Sequence, residues 1–184
     1  MSETDTAPRR ASARFMLGHP ARWVALGFGS GLSPWAPGTV GTLWAWAAYH
    51  VISLWLGSGA WAVGIAASLL LGWWACSRTA EDLRIADPGA IVWDEVVAFW
   101  IILWVLMPAP LWLQALAFAL FRFFDAVKPG PVGWADRAFK DRKHPWARGF
   151  GILWDDLVAA ACTLMVLALG VALLGNGYPV SPTH

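Results

Sequence analysis

The sequence predicts an all-α fold, a membrane-embedded bundle of about four to five apolar helices behind a Gly/Pro-rich N-terminal loop. Three observations carry that prediction. The 184 residues are 58% hydrophobic and only 14% charged, whereas a soluble domain is roughly a quarter charged. Five apolar stretches recur, at residues 40–56, 60–76, 91–107, 111–124 and 154–175. The charged residues, finally, lie before the first stretch, in every second connection after it, or at the stretch ends that border those connections.

Residues 1–22 read as a polar, flexible N-terminal segment. Arg9-Arg10 resembles a twin-arginine signal, but no sufficient apolar core follows, so export and cleavage are not expected. Residues 23–176 read as a single membrane-embedded domain, and 177–184 as a short external tail. The domain opens on WVALGFGSGLSPWAPGTVGTL, whose Gly and Pro density forbids a regular helix before the first apolar stretch. At its end lie Gly38, Thr39, Gly41 and Thr42. They suit a helix entry capped by Thr, or backbone N–H groups offered to a phosphate. No Lys-Ser/Thr follows a glycine, so this is not a Walker loop.

A span needs about 20 apolar residues. The last stretch qualifies, the first three are marginal and the fourth is short. Between the second and third stretches, Asp87-Pro88 predicts a helix cap and first residue. Asp94 then falls six residues into that helix, about 9 Å along it. The fourth stretch ends in FRFFDAVKP, where Arg122 and Asp125 share a helix face, Lys128 extends the stripe and Pro129 stops the helix. Residues 132–153 read as a long polar connection, and Asp155-Asp156 as the opening of the final span.

The 13 Lys and Arg orient the chain. Arg9, Arg10, Arg14 and Arg22 precede the first stretch, and Arg78 and Arg84 lie between the second and third. The rest run from Arg122 to Arg148, around the connection between the fourth and fifth. The positive-inside rule then places the N-terminus and both polar loops in the cytoplasm and the C-terminus outside. All 12 acids share that face, so the chemistry belongs to the cytoplasmic side. The basic connection suits anionic lipid headgroups. A net charge of +1 gives no argument for nucleic acid. Cys76 and Cys162 both lie in apolar stretches, without the spacing of a disulfide framework or a metal site, and read as small buried hydrophobes.

Ionisable residues bordering a membrane span are costly and mark functional sites. Seven do so here: Asp94, Glu95, Arg122, Asp125, Lys128, Asp155 and Asp156. Each has an ordinary reading too, as a salt bridge, a helix cap or a headgroup contact. As a set of carboxylates without a Cys or His cluster, they favour Mg²⁺ bound beside a phosphate. Arg122 and Lys128 would neutralise phosphate oxygens. No cysteine phosphate loop or paired His is present, so a metal-activated water is the simplest nucleophile, with an aspartyl-phosphate as the other route.

Four stretches carry a family resemblance: GFGSGLSPWAPGTVGTL, TAEDLRIADPGAIVWDE, FRFFDAVKPGPVGWADR and GILWDDLVAA. Their order and content resemble the bacterial phosphatidylglycerophosphatase A family. The resemblance implies a multi-pass enzyme of the bacterial inner membrane. It would remove the terminal phosphate of phosphatidylglycerophosphate, a membrane phospholipid, with Mg²⁺. On these motifs the expected catalytic residues are Asp94, Glu95, Asp125, Lys128, Asp155 and Asp156. Asp94, Glu95, Asp125 and Asp156 would be metal ligands, and Arg122, Lys128, Gly38, Thr39, Gly41 and Thr42 would bind the phosphate. The chain departs from the family at Ala98, at Ala159-Ala160, and in a longer KDRKHPWARGF link. Two rivals belong to other classes. An ion-coupled transporter predicts mid-span charge and inverted repeats, which the sequence lacks. A non-catalytic membrane scaffold leaves five carboxylates beside two bases without a use.

Overall fold

The computed structural model describes residues 9–85, 88–140 and 144–175. All regular structure among them is helical. The order is α1 (Ala13–Leu17), α2 (Pro20–Ala25), a 3-10 segment (Gly27–Leu32), α3 (Pro37–Ile52), α4 (Ser58–Leu83), α5 (Trp93–Leu106), α6 (Leu111–Val127), α7 (Pro131–Lys140) and α8 (Pro145–Gly175).

The five apolar stretches all fold as helices, α3 to α6 and α8. Among the described residues, only α4 and α8 are long and apolar enough to cross a membrane. The 26 residues of α4 and 31 of α8 rise about 39 and 46 Å. The 16, 14 and 17 residues of α3, α5 and α6 reach about 21–26 Å, short of the roughly 30 Å hydrocarbon thickness. The expected four to five spans are therefore narrowed to two candidates, with three shorter apolar helices packed beside them. Large apolar side chains stay exposed on both long helices, among them Val63, Leu70, Leu169 and Leu173. So much apolar surface marks an interface with something apolar.

Helix α8 is the hub, packing against α4, α5, α6 and α7. Helix α5 is apolar on every face beyond Glu95 and is buried accordingly: Val96, Val97, Ala98, Phe99, Ile102 and Leu103 are at most 1% exposed. Its indoles find partners, Trp100 Nε1 donating to the Ala45 carbonyl at 2.9 Å and Trp93 Nε1 to the Ser68 carbonyl at 3.1 Å. Gly149 lets α8 close on α4, because a Cβ there would overlap Ser77. Both cysteines are free and buried, as their apolar surroundings predict.

Four sequence expectations change. Residues 13–25, expected to be partly flexible, form α1 and α2; Ser12 caps α1, and Arg22 pairs with Asp82 of α4 at 3.0 Å. Helix α5 starts at Trp93 and not after Asp87, which lies outside the described residues. The cause is a turn, in which Ile91 N–H bonds the Pro88 carbonyl, and a tertiary bond from Val92 N–H to the Ala25 carbonyl, which pins the chain to α2. Asp94 therefore sits in the first turn of its helix. The polar connection 132–153 is mostly helical, forming α7 and the start of α8. Asp155 and Asp156 do not open the last helix but lie three turns inside it, after Pro145 has started it.

Candidate active site

Asp94 and Glu95 enter the site from the first turn of α5, Asp125 from the last turns of α6, and Asp155 and Asp156 from α8. Lys128 caps α6 in a left-handed conformation, with φ of 50°. That conformation costs a residue with a Cβ about 1 kcal/mol or more. In return the ammonium bridges two helices, donating to Asp136 of α7 at 2.5 Å and to Asp155 of α8 at 2.6 Å. Burial works against the Lys128 charge, but these two carboxylates outweigh it and hold its pKa above the ordinary lysine value.

Arg122 is engaged in the same way. Its Nη1 donates to Asp125 Oδ2 at 2.5 Å and lies 3.6 Å from Glu95 Oε1. Gly38 abuts this pair; a Cβ there would collide with Glu95 Oε1 and crowd the Arg122 guanidinium.

The acids meet at a cavity of about 170 Å³. Asp94, Glu95, Asp125, Asp136, Asp155 and Asp156 lie on its wall, with Lys128 and Arg148 as the only cations among the described residues. Six carboxyl groups against two cations offer a phosphate dianion little to bind unless further positive charge enters. The place for that charge is defined. Oxygens of Asp94, Glu95 and Asp156 lie within 4.8 Å of one another. Asp94 Oδ1, Glu95 Oε2 and Asp156 Oδ2 are buried without a hydrogen-bond partner. Orphaned buried carboxylate oxygens are expensive, and three carboxylates that converge this closely, each with one such oxygen, suit a hard cation. Among the described residues no Cys or His lies on the wall to favour a softer one.

The structure thus brings six of the predicted residues to one cavity: Asp94, Glu95, Asp125, Lys128, Asp155 and Asp156. Asp125 lies outside the three-carboxylate cluster and is held by Arg122. The residues of the predicted phosphate cradle do not line this cavity, although Gly38 packs against Glu95 and Arg122 at its edge. Gly38, Thr39, Gly41 and Thr42 are in α3, off the cavity wall. A Cβ on Gly41 would press on Val92, and the buried Thr42 hydroxyl donates to the Gly38 carbonyl at 2.8 Å. The glycines serve close packing of α3 on α5, and the Thr42 hydroxyl is satisfied within α3. Sequence reasoning missed Asp136 and Arg148 as site residues. Asp136 lies eight residues beyond Lys128, past a Pro-Gly-Pro turn. Arg148 lies seven before Asp155, two turns up the same face of α8.

Phosphate esters are substrates that such a wall suits once a divalent cation is bound. Comparison with known proteins puts the chain in that class, the phosphatases. More particularly, it belongs to the phosphatidylglycerophosphatase A family, whose profile matches residues 23–171. It is 34% identical to Phosphatidylglycerophosphatase A of Escherichia coli K12 over 92% of each chain. It is 38% identical to the Haemophilus influenzae protein of that name, over 84% of this chain and 90% of the relative. A Bacteroides thetaiotaomicron protein named as a putative phosphatidylinositol-3-phosphatase is 34% identical over 83% of this chain and 94% of its own. No solved structure matches the chain.

Proposed function

We propose that this phosphatase is Mg²⁺-dependent and hydrolyses the terminal phosphomonoester of phosphatidylglycerophosphate, giving phosphatidylglycerol. It acts in the bacterial inner membrane as a multi-pass protein, with its cavity on the cytoplasmic face. The observation that carries this reading is the trio of orphaned oxygens on Asp94, Glu95 and Asp156, set in a wall of six carboxylates and two cations. The two relatives named for this activity supply the substrate.

Asp94, Glu95 and Asp156 would hold the ion. When bound, Mg²⁺ supplies positive charge for the phosphate oxygens and acidifies a coordinated water. The protein supplies the rest. Arg122 fixes Asp125 and leans on Glu95, so the carboxylates of α5 and α6 keep one geometry. Lys128 ties Asp155 to Asp136 and locks α7 onto α8 beside the reacting phosphate. The apolar helices keep the diacyl end in lipid and leave only the headgroup to be bound. In the net reaction water adds to phosphorus and the P–O bond to the glycerol oxygen breaks. That oxygen leaves as a hydroxyl group.

The test is phosphate release by the purified protein from phosphatidylglycerophosphate and from phosphatidylinositol 3-phosphate, with Mg²⁺ and in excess chelator. Turnover of the first lipid that vanishes on chelation and returns with Mg²⁺ is expected. Full activity in chelator removes the metal role. Preference for the inositol lipid, the substrate named for the Bacteroides relative, removes the substrate assignment.

A further inference from the structure

The site has three basic side chains, and two of them are already spent. Lys128 is held between Asp136 and Asp155, and Arg122 between Asp125 and Glu95. Arg148 differs. It lines the cavity, its Nε is buried without a hydrogen-bond partner, and among the described residues its side chain makes no ion pair. A buried guanidinium N–H without an acceptor is costly and rarely left so. Seven residues separate Arg148 from Asp155 on α8. That is about 10 Å of rise with almost no rotation around the helix, so the guanidinium extends over the cavity on the same face as the acids.

We propose that Arg148 takes hold of the substrate's phosphate oxygens, the role that the sequence assigns to Lys128 and Arg122. The inference rests on the reading of this cavity as a phosphate-ester site. Lys128 and Arg122 are then positioning residues, which set the carboxylates and do not grip substrate. A guanidinium suits the task because its paired N–H donors match two phosphate oxygens. The bound phosphate is the monoester that will leave, or the diester that stays with the lipid. Their shared chemistry is a tetrahedral oxyanion, and the experiment separates them.

Arg148→Gln and Arg148→Lys are purified in detergent with saturating Mg²⁺. Calorimetry then measures binding of inorganic phosphate, which stands for the monoester, and of phosphatidylglycerol, which carries only the diester. KM and kcat are measured with phosphatidylglycerophosphate. The expected result is about a ten- to hundredfold loss of phosphate affinity in Arg148→Gln, a matching rise in KM and little change in kcat. Arg148→Lys should fall between, keeping charge but losing the fork. If phosphatidylglycerol binding falls while inorganic phosphate binding holds, the guanidinium grips the diester. Unchanged affinity for both ligands and an unchanged KM overturn the proposal. So does a melting temperature far below wild type in both variants, which makes Arg148 structural. Failure of the wild type to hydrolyse phosphatidylglycerophosphate while it still binds phosphate through Arg148 strikes the substrate reading alone.

Discussion

Two acid clusters face the same cavity and are built differently. In one, Asp136 and Asp155 share the ammonium of Lys128 at 2.5 and 2.6 Å. In the other, Asp94, Glu95 and Asp156 crowd together with one oxygen of each buried and unpartnered. The first is complete as it stands and joins α7 to α8. The second is complete only when a cation arrives. Acids of the same type, one residue apart in Asp155-Asp156, are thus divided between holding the protein together and holding something else. Neighbours on a helix point about 100° apart, which is enough to deliver them to different clusters.

The largest effect should come from the incomplete cluster and its flank. Asp156→Asn and Asp125→Asn nearly preserve shape, and each should lower kcat/KM on the order of a thousandfold at equal membrane expression. Mg²⁺ should raise the melting temperature of the wild type, through preferential binding to the folded state, but not that of Asp156→Asn. Wild-type turnover in both variants would mean the chemistry lies elsewhere.

The complete cluster should answer in stability. Lys128→Met removes the ammonium that Asp136 and Asp155 share. Breaking a largely buried pair this way costs about 3–5 kcal/mol, to be read from denaturant unfolding in detergent. An unchanged unfolding curve with abolished turnover would break the comparison, since Lys128 would then act on substrate and not on the fold.

A smaller effect sharpens the boundary between the clusters. Gly38→Ala pushes on Glu95 Oε1 and Arg122, an overpacking worth about 1–3 kcal/mol. The expected result is weaker Mg²⁺ activation with phosphate affinity retained. The smallest effect belongs to Asp141→Asn. Asp141 is outside the described residues and stands in KDRKH among several bases; a screened surface charge contributes little, and its rate should stay near wild type. A collapse there would add Asp141 to the site.

The positions of the helices were largely legible, because apolar runs and the residues that break them are written locally. Arg122 and Asp125 were legible for the same reason, since three residues apart on a helix must meet. The failures are tertiary. Asp87-Pro88 has good capping chemistry, but the Val92 N–H bonded to the Ala25 carbonyl of α2 keeps the chain out of the helix until Trp93. The glycines near Gly38 look like an anion loop, yet their free space is filled by Val92 and Glu95 from α5. Arg148 was read as a topology signal because the last span seemed to begin at residue 154; once α8 runs from Pro145, it shares a face with Asp155. Pairing between helices, such as that of Lys128 with Asp136 and Asp155, cannot be read from spacing.

The length of α8 has a consequence for how a lipid is handled. From residue 157 to 173 it is an unbroken uncharged run, about 26 Å tall and close to the thickness of the hydrocarbon layer. Set across the bilayer as proposed, that run brings Asp155 and Asp156 level with the headgroups. The substrate can then diffuse in from the side, be trimmed and leave without lifting its tails out of the oil. Raising one acyl chain of about 15 methylenes into water would cost on the order of 12 kcal/mol. A phosphatase working at this depth never meets that barrier, so two-dimensional diffusion, rather than extraction, sets how fast lipids reach it.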